Sequence, residues 1–187
     1  MKKALIVFAL LLAGCQPSAP LAGLSRNFQT YAHGYETTPE LPFTAKIVDD
    51  EAERLARQWS PTAAPTHVQG LNITSEGIPH IPSGSWTFSF IDTRQRDKGL
   101  QIVLRPGLKP VVRRIAADKL PQREPLEIRA WGIDSPKAII KARQYFGTVS
   151  LKAFELTAAN RHLVWAFGPK SLIEAMDGSQ YVVEPGH

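Results

Sequence analysis

The sequence predicts an α+β fold of two tandem units, each a single helix packed on an antiparallel sheet. Three observations predict it. Asp49-Asp50-Glu51 opens a helix carrying Ala56-Arg57-Gln58-Trp59, and Asp134-Ser135-Pro136 opens another carrying Ala142-Arg143-Gln144-Tyr145. Strand-like runs follow each helix and include a Trp-x-Phe pair, Trp86 and Phe88 in the first copy, Trp165 and Phe167 in the second. The matched helix residues are 86 positions apart and the matched tryptophans 79, so the second copy is shorter, and the Gly/Pro-rich 75–84 loop of the first accounts for the difference. The shared order of helix, strand, Trp-x-Phe strand and strand points to an internal repeat.

The expected organisation is a signal segment at 1–14, a tether at 15–48 and a first unit at 49–115. A connector at 116–132, a second unit at 133–183 and a tail at 184–187 complete it. A chain of 187 residues, 43% apolar, holds one ordinary domain or two small ones with a sizeable core.

The first helix, expected over 49–59, places Ala52, Leu55, Ala56 and Trp59 on one stripe, with Glu51, Glu53, Arg54 and Arg57 off it. Asp50 and Glu53 have capping-box spacing, and Pro61 stops the helix. His67–Thr74 is the next strand. Ser85–Ile91 alternates Trp86, Phe88 and Phe90 against Thr87, Ser89 and Ile91, which reads as a half-buried antiparallel strand. After a charged turn at 92–99, Leu100, Ile102 and Leu104 repeat the alternation, and Val111–Ile115 is a short further strand. Within the connector, Leu126–Trp131 looks extended and either completes one sheet or bridges the two copies. The second helix takes Ser135 as N-cap and Pro136 at its first position, and its face is Ala138, Ile139, Ala142 and Phe146. Strands are expected around Val149–Leu156, His162–Phe167 and Leu172–Met176, with Asn160-Arg161 as a turn.

Residues 1–15 carry the most specific signal. Lys2-Lys3 precede the apolar run Ala4–Ala13, which is shorter than the roughly 20 residues a bilayer span requires. The run ends in Leu12-Ala13-Gly14-Cys15, which resembles the bacterial lipobox. Small residues admit the backbone to a peptidase, and the thiol is the lipid-accepting nucleophile. The alternative is an ordinary secretory signal with an incidental cysteine. Cys15 is the only cysteine, so an exported chain has no disulfide partner for it. The resemblance implies acylated Cys15 as an anchor in membrane lipid. Gln16 follows it where an Asp would resemble an inner-membrane retention signal, so the expected location is the outer membrane, facing the periplasm.

Loss of residues 1–14 leaves 20 basic and 17 acidic side chains, an excess too small for a nucleic-acid partner. Arg94-Gln95-Arg96-Asp97-Lys98 and Arg113-Arg114 read first as a solvated turn and strand end, with anionic lipid or another acidic surface as the alternative.

The second copy resembles the small PepSY-type domain of exported bacterial proteins, through Ala138 and Ala142, Trp165, and Glu174-Ala175-Met176-Asp177-Gly178. It departs from that family at Glu174 and at Asp177-Gly178, where Asp and Thr-Gly are usual. The resemblance covers about 50 residues and implies a cystatin-like sheet wrapped on a helix. It also implies a role in binding or restraining proteases, without catalysis.

No catalytic residue, cofactor or metal site is expected. His33, His67, His80, His162 and His187 show neither helical pairing nor an acidic partner at ligand spacing, and no nucleophile elbow, P-loop or dinucleotide fingerprint occurs. Ser83-Gly84-Ser85 reads as a turn into a strand, Asn72-Ile73-Thr74 as a chance acceptor pattern, and Asp134 as a helix-start residue. Trp86 and Trp165 read as core rather than ligand-stacking residues. The expected function is a non-catalytic, membrane-anchored binding or envelope-assembly module with a protein partner in the envelope. The alternative is an envelope hydrolase or small-ligand carrier, which a pocket joining at least two of His67, His80, Asp92 and Glu174 would favour.

Overall fold

The structure, a computed structural model, describes residues 43–183. The chain runs α1 (Ala45–Trp59), β1 (Ala63–Leu71), β2 (Ser85–Asp92), β3 (Lys98–Leu104), β4 (Val111–Ala116), α2 (Ser135–Phe146), β5 (Ala153–Ala159), β6 (His162–Ala166), β7 (Leu172–Glu174) and β8 (Gln180–Tyr181). The fold is α+β. One eight-stranded antiparallel sheet has the order β4-β3-β2-β1-β5-β6-β7-β8. Each helix leads into a four-strand meander, and the meanders meet where β1 pairs with β5, Val68 opposite Leu156 and Gly70 opposite Phe154. The expectation of one sheet per unit is corrected by this seam. The first strand of each meander has an outer edge of unpaired N–H and C=O groups, and pairing the two edges satisfies both.

Both helices lie on one face and share one core. Ala45, Val48, Ala52, Leu55 and Ala56 of α1, and Ala138, Ile139 and Ala142 of α2, are buried against Trp86, Phe88, Leu100, Leu156, Trp165 and Ile173. Alanines at the contact let helix and sheet approach closely. The expected stripe holds, with Trp59 partly buried at its end, whereas Glu51 is buried too and takes Arg54 in a two-toothed pair at 2.8 and 2.7 Å.

α1 begins a turn earlier than the sequence suggests, so residues 45–48 belong to the folded body and not to a tether. Asp50 and Glu53 are therefore inside the helix, and Glu53 binds Arg57 at 2.8 Å. The true N-cap, Thr44, makes no capping bond within its own helix. Asp134, the N-cap of α2, instead accepts from the Thr44 hydroxyl and, at 3.0 Å, from the Lys46 N–H. One helix thus satisfies orphan donors of the other. Asp134 also accepts from Ser135 N–H at 2.6 Å, so it displaces Ser135 as cap; Ser135 is the first helical residue and Pro136 the second.

The connector is not extended at 126–131 but closes a 3-10 turn over Ile128–Ala130. Its earlier part crosses the sheet's second face. Ala117 and Leu120 bury Ile91, and the Gln122 side-chain oxygen accepts from the Thr157 hydroxyl at 2.7 Å. The Leu126 N–H then reaches Pro65 O at 2.7 Å, and Gly132 and Ile133 donate to Ala175 O at 2.9 and 2.8 Å. The segment therefore bridges the two meanders. It also explains why Ile91, on the face expected to be open, is buried. Val164, Ala166 and Leu172 make a second small cluster on that face, partly under Tyr181 of β8. Among the described residues no helix is long and apolar enough to cross a membrane.

Candidate functional site

Cys15, His33 and His187 lie outside the described residues. The four residues that a reactive site would unite lie apart, and three of them have local partners of their own. His67, on β1, is buried and bonds Glu155 of β5 through Nε2 at 2.7 Å. This hydrogen bond is the leading cause that holds the Glu155 carboxyl below its usual range. Glu174, on β7, is 3.0 Å from His162 Nδ1, whose ring lies beside Tyr181. β1 and β7 are three strand spacings apart, roughly 14 Å. Asp92 ends β2. The Thr62 hydroxyl donates to it at 2.7 Å and, with the Arg94 and Gln95 N–H groups, brings its pKa to about 2. These bonds hold the turn that follows β2. His80 lies in the 72–84 connection, in a shallow cleft of about 480 Å³ with Asn72, Ile73 and Leu151. A second cleft, of about 440 Å³, lies along β5 and contains Glu155 and Gln69 but none of the four candidate residues. Among the described residues no group of three His, Cys, Asp or Glu could hold a metal ion.

Trp86 and Trp165 are fully buried, as core residues should be. Trp86 packs edge-on to Phe154 at 5.7 Å and to Trp165 at 6.4 Å, and Trp165 packs against Trp131 at 5.8 Å. These rings occupy the space between helices and sheet. The Trp86 indole donates to Phe43 O at 2.9 Å and the Trp165 indole to Ile133 O at 3.1 Å, in each case the carbonyl just before a helix N-cap. Asn72 takes a left-handed φ of 48° and donates to Ser83 O, holding the ends of the 72–84 connection together. The Asn160-Arg161 turn is confirmed, with φ of 48° and 70° as a tight hairpin turn needs.

The feature that sequence reading undervalued is the free edge at β4. Val111, Val112, Arg113 and Arg114 are all exposed, and among the described residues the strand's ladder is to β3 alone. From Arg94 to Lys119 the chain carries eight basic and two acidic side chains, while the rest of residues 43–183 carries 11 basic and 12 acidic. All eight cations are exposed, and among the described residues none is within ion-pair distance of a carboxylate. The near-neutral net charge hides this. Only the fold shows that the cations share one end of the sheet.

No protein-family model and no curated protein matches the chain. Among solved structures it resembles a protein of Clostridium difficile 630 described as "a putative lipoprotein", with a TM-score of 0.50 and 11% identity over 72% of this chain and 90% of that one. At that identity the likeness is one of fold.

Proposed function

We propose that the chain is a lipid-anchored protein, tethered through acylated Cys15 to the outer membrane on its periplasmic face, which works by holding another envelope component without chemistry of its own. The observation that carries this reading is the filled helix–sheet interface. A buried small-molecule site between the helices and the sheet would need space there. Trp86, Phe154, Trp165 and Trp131 occupy that space here, and His67, Asp92 and Glu174 are each bound locally and apart from one another. The description of the fold neighbour as a lipoprotein supports the anchor.

The reading includes two PepSY-like units related by an approximate two-fold axis. A two-fold makes equivalent residues meet one another. Residues 44 and 134, and 45 and 135, are in contact at the helix starts, both pairs 90 positions apart. At the seam Gln69 is opposite Glu155, 86 apart, and the flanking pairs Val68–Leu156 and Gly70–Phe154 exchange under that same offset. The 86 agrees with the helix match in the sequence, and the larger offset at the helix starts reflects the extra turn of α1.

The test is replacement at the native locus. His67→Ala, His80→Ala and Glu174→Ala, each checked for folding, should complement a deletion fully. A folded variant that behaves like the deletion would overturn the binding reading. Cys15→Ala should stop processing at Gly14, and an unmodified, soluble wild-type protein would overturn the anchor.

A further inference from the structure

We infer that the open edge of β4 is the docking surface and that its occupant is an extended, acidic segment of a partner protein, added to the sheet as a ninth strand. This rests on the binding reading above and names its surface and partner class. The geometry begins with the two ends of the sheet. The β8 end is only Gln180–Tyr181, too short to template much pairing, whereas β4 offers six residues. Among the described residues, the backbone of 111–116 is bonded to β3 and to nothing on its other side.

Side-chain alternation selects the occupant. Val111, Arg113 and Ile115 lie on the face away from the helices, and Val112 and Arg114 on the helix side, by their pairing with Gln101 and with Ile102 and Leu100. Each face of the edge thus pairs an apolar side chain with an arginine. An incoming strand lies in the plane of the sheet and meets both faces at once, so carboxylates opposite Arg113 and Arg114 and apolar groups opposite Val112 would complete cross-strand pairs. A flat anionic lipid surface meets one face or the other, never both arginines together. A second copy of β4 would set arginine beside arginine. Lys98, Arg105, Lys109 and Lys119 surround the edge with further unpaired positive charge, which draws in an acidic strand and repels a basic one.

The probe is a short peptide of valines with two adjacent glutamates at its centre, one for each face, compared with a lysine–valine peptide in which both glutamates are lysines; each is added to the full-length protein purified in neutral detergent. Binding should slow amide exchange at 111–116. It should vanish when alternate peptide amides are N-methylated, since methylation leaves charge intact but blocks the ladder. Arg113→Glu with Arg114→Glu should weaken it by about tenfold or more and confer binding of the lysine–valine peptide. That reciprocal switch separates recognition from misfolding. Several results overturn the edge assignment: binding indifferent to N-methylation, protection elsewhere, edge amides already protected without peptide, or phosphatidylglycerol micelles protecting 111–116 where the peptide does not. These leave the binding reading standing, because that reading falls on loss of complementation by His80→Ala or Glu174→Ala, residues far from β4.

Discussion

Gly70 and Trp86 show how tightly the interior is specified. They face each other across β1 and β2, and a Cβ on Gly70 would lie 2.6 Å from the Trp86 ring and 2.8 Å from Ile73 Cγ1. The ring fills the space a side chain would need. Gly70→Ala should therefore destabilise by about 1–3 kcal/mol through overpacking. Trp86→Ala or Trp165→Ala should cost ~3–5 kcal/mol each, read from urea melts. Unchanged melts would place these rings outside the core. Asp49 gives a test with a sign. Burial chiefly, then Glu53 and Asp50, raises its pKa to about 7, and its Oδ1 has no hydrogen-bond partner among the described residues. The folded protein then keeps a proton that an unfolded Asp releases near pH 3.9. Stability from this group is full below that pH and is lost as pH rises through 7. Asp49→Asn should match the parent near pH 4 and melt higher at pH 8. A constant difference between the two melts across that range would refute the account.

At the scale of elements, the sequence announces what is periodic and local and conceals what is supplied from a distance. The stripe Ala52-Leu55-Ala56 and the alternation Trp86-Phe88-Phe90 each repeat within a few residues, so both elements are legible. The start of α1 is not, because its donors are satisfied by Asp134, 90 positions away. The seam is equally hidden: nothing in Ala63–Leu71 or Ala153–Ala159 says that these strands pair with each other. Leu126–Trp131 has strand composition, but only the Leu126 N–H reaches a meander, at Pro65 O; those of Ile128, Ala130 and Trp131 go to carbonyls within the segment, and it turns. The candidate edge was legible only as residues, since Arg113-Arg114 reads as a solvated strand end until the sheet order makes that strand terminal. The junction at Asp134 can be tested. An ordinary N-cap loss costs about 0.5–2 kcal/mol, and Asp134→Ala should exceed Thr44→Ala because Asp134 serves both helices. Equal losses for the two variants would mean that the cross-helix bonds contribute nothing.

At the scale of the whole molecule, the two helix-led meanders need not be two folding units. Every layer of the interior crosses the division. Val68 to Leu71 take their outer ladder from β5, and Trp86 of the first meander packs on Phe154 and Trp165 of the second. The connector then ties Pro65 to the second unit through Leu126 and Gln122. A fragment of residues 43–116 would therefore expose the β1 edge and one side of the Trp86 cluster, and it would lose the Asp134 acceptors at the start of α1. Burial of one large apolar side chain contributes roughly 1.5–3 kcal/mol, and a domain's whole stability is about 5–15 kcal/mol. Losing several such contacts at once removes most of the margin. The prediction is that residues 43–116 and 117–183, made separately, are each unfolded, and that the full chain unfolds in one transition with coincident tryptophan fluorescence and far-ultraviolet circular dichroism. Two resolved transitions, or a folded 43–116 fragment, would show that the seam only joins halves already stable alone. A single transition matters to function as well: a rigid sheet fixes β4 relative to the rest of the body, so a strand added at that edge pulls on the whole sheet rather than on one loosely hinged half.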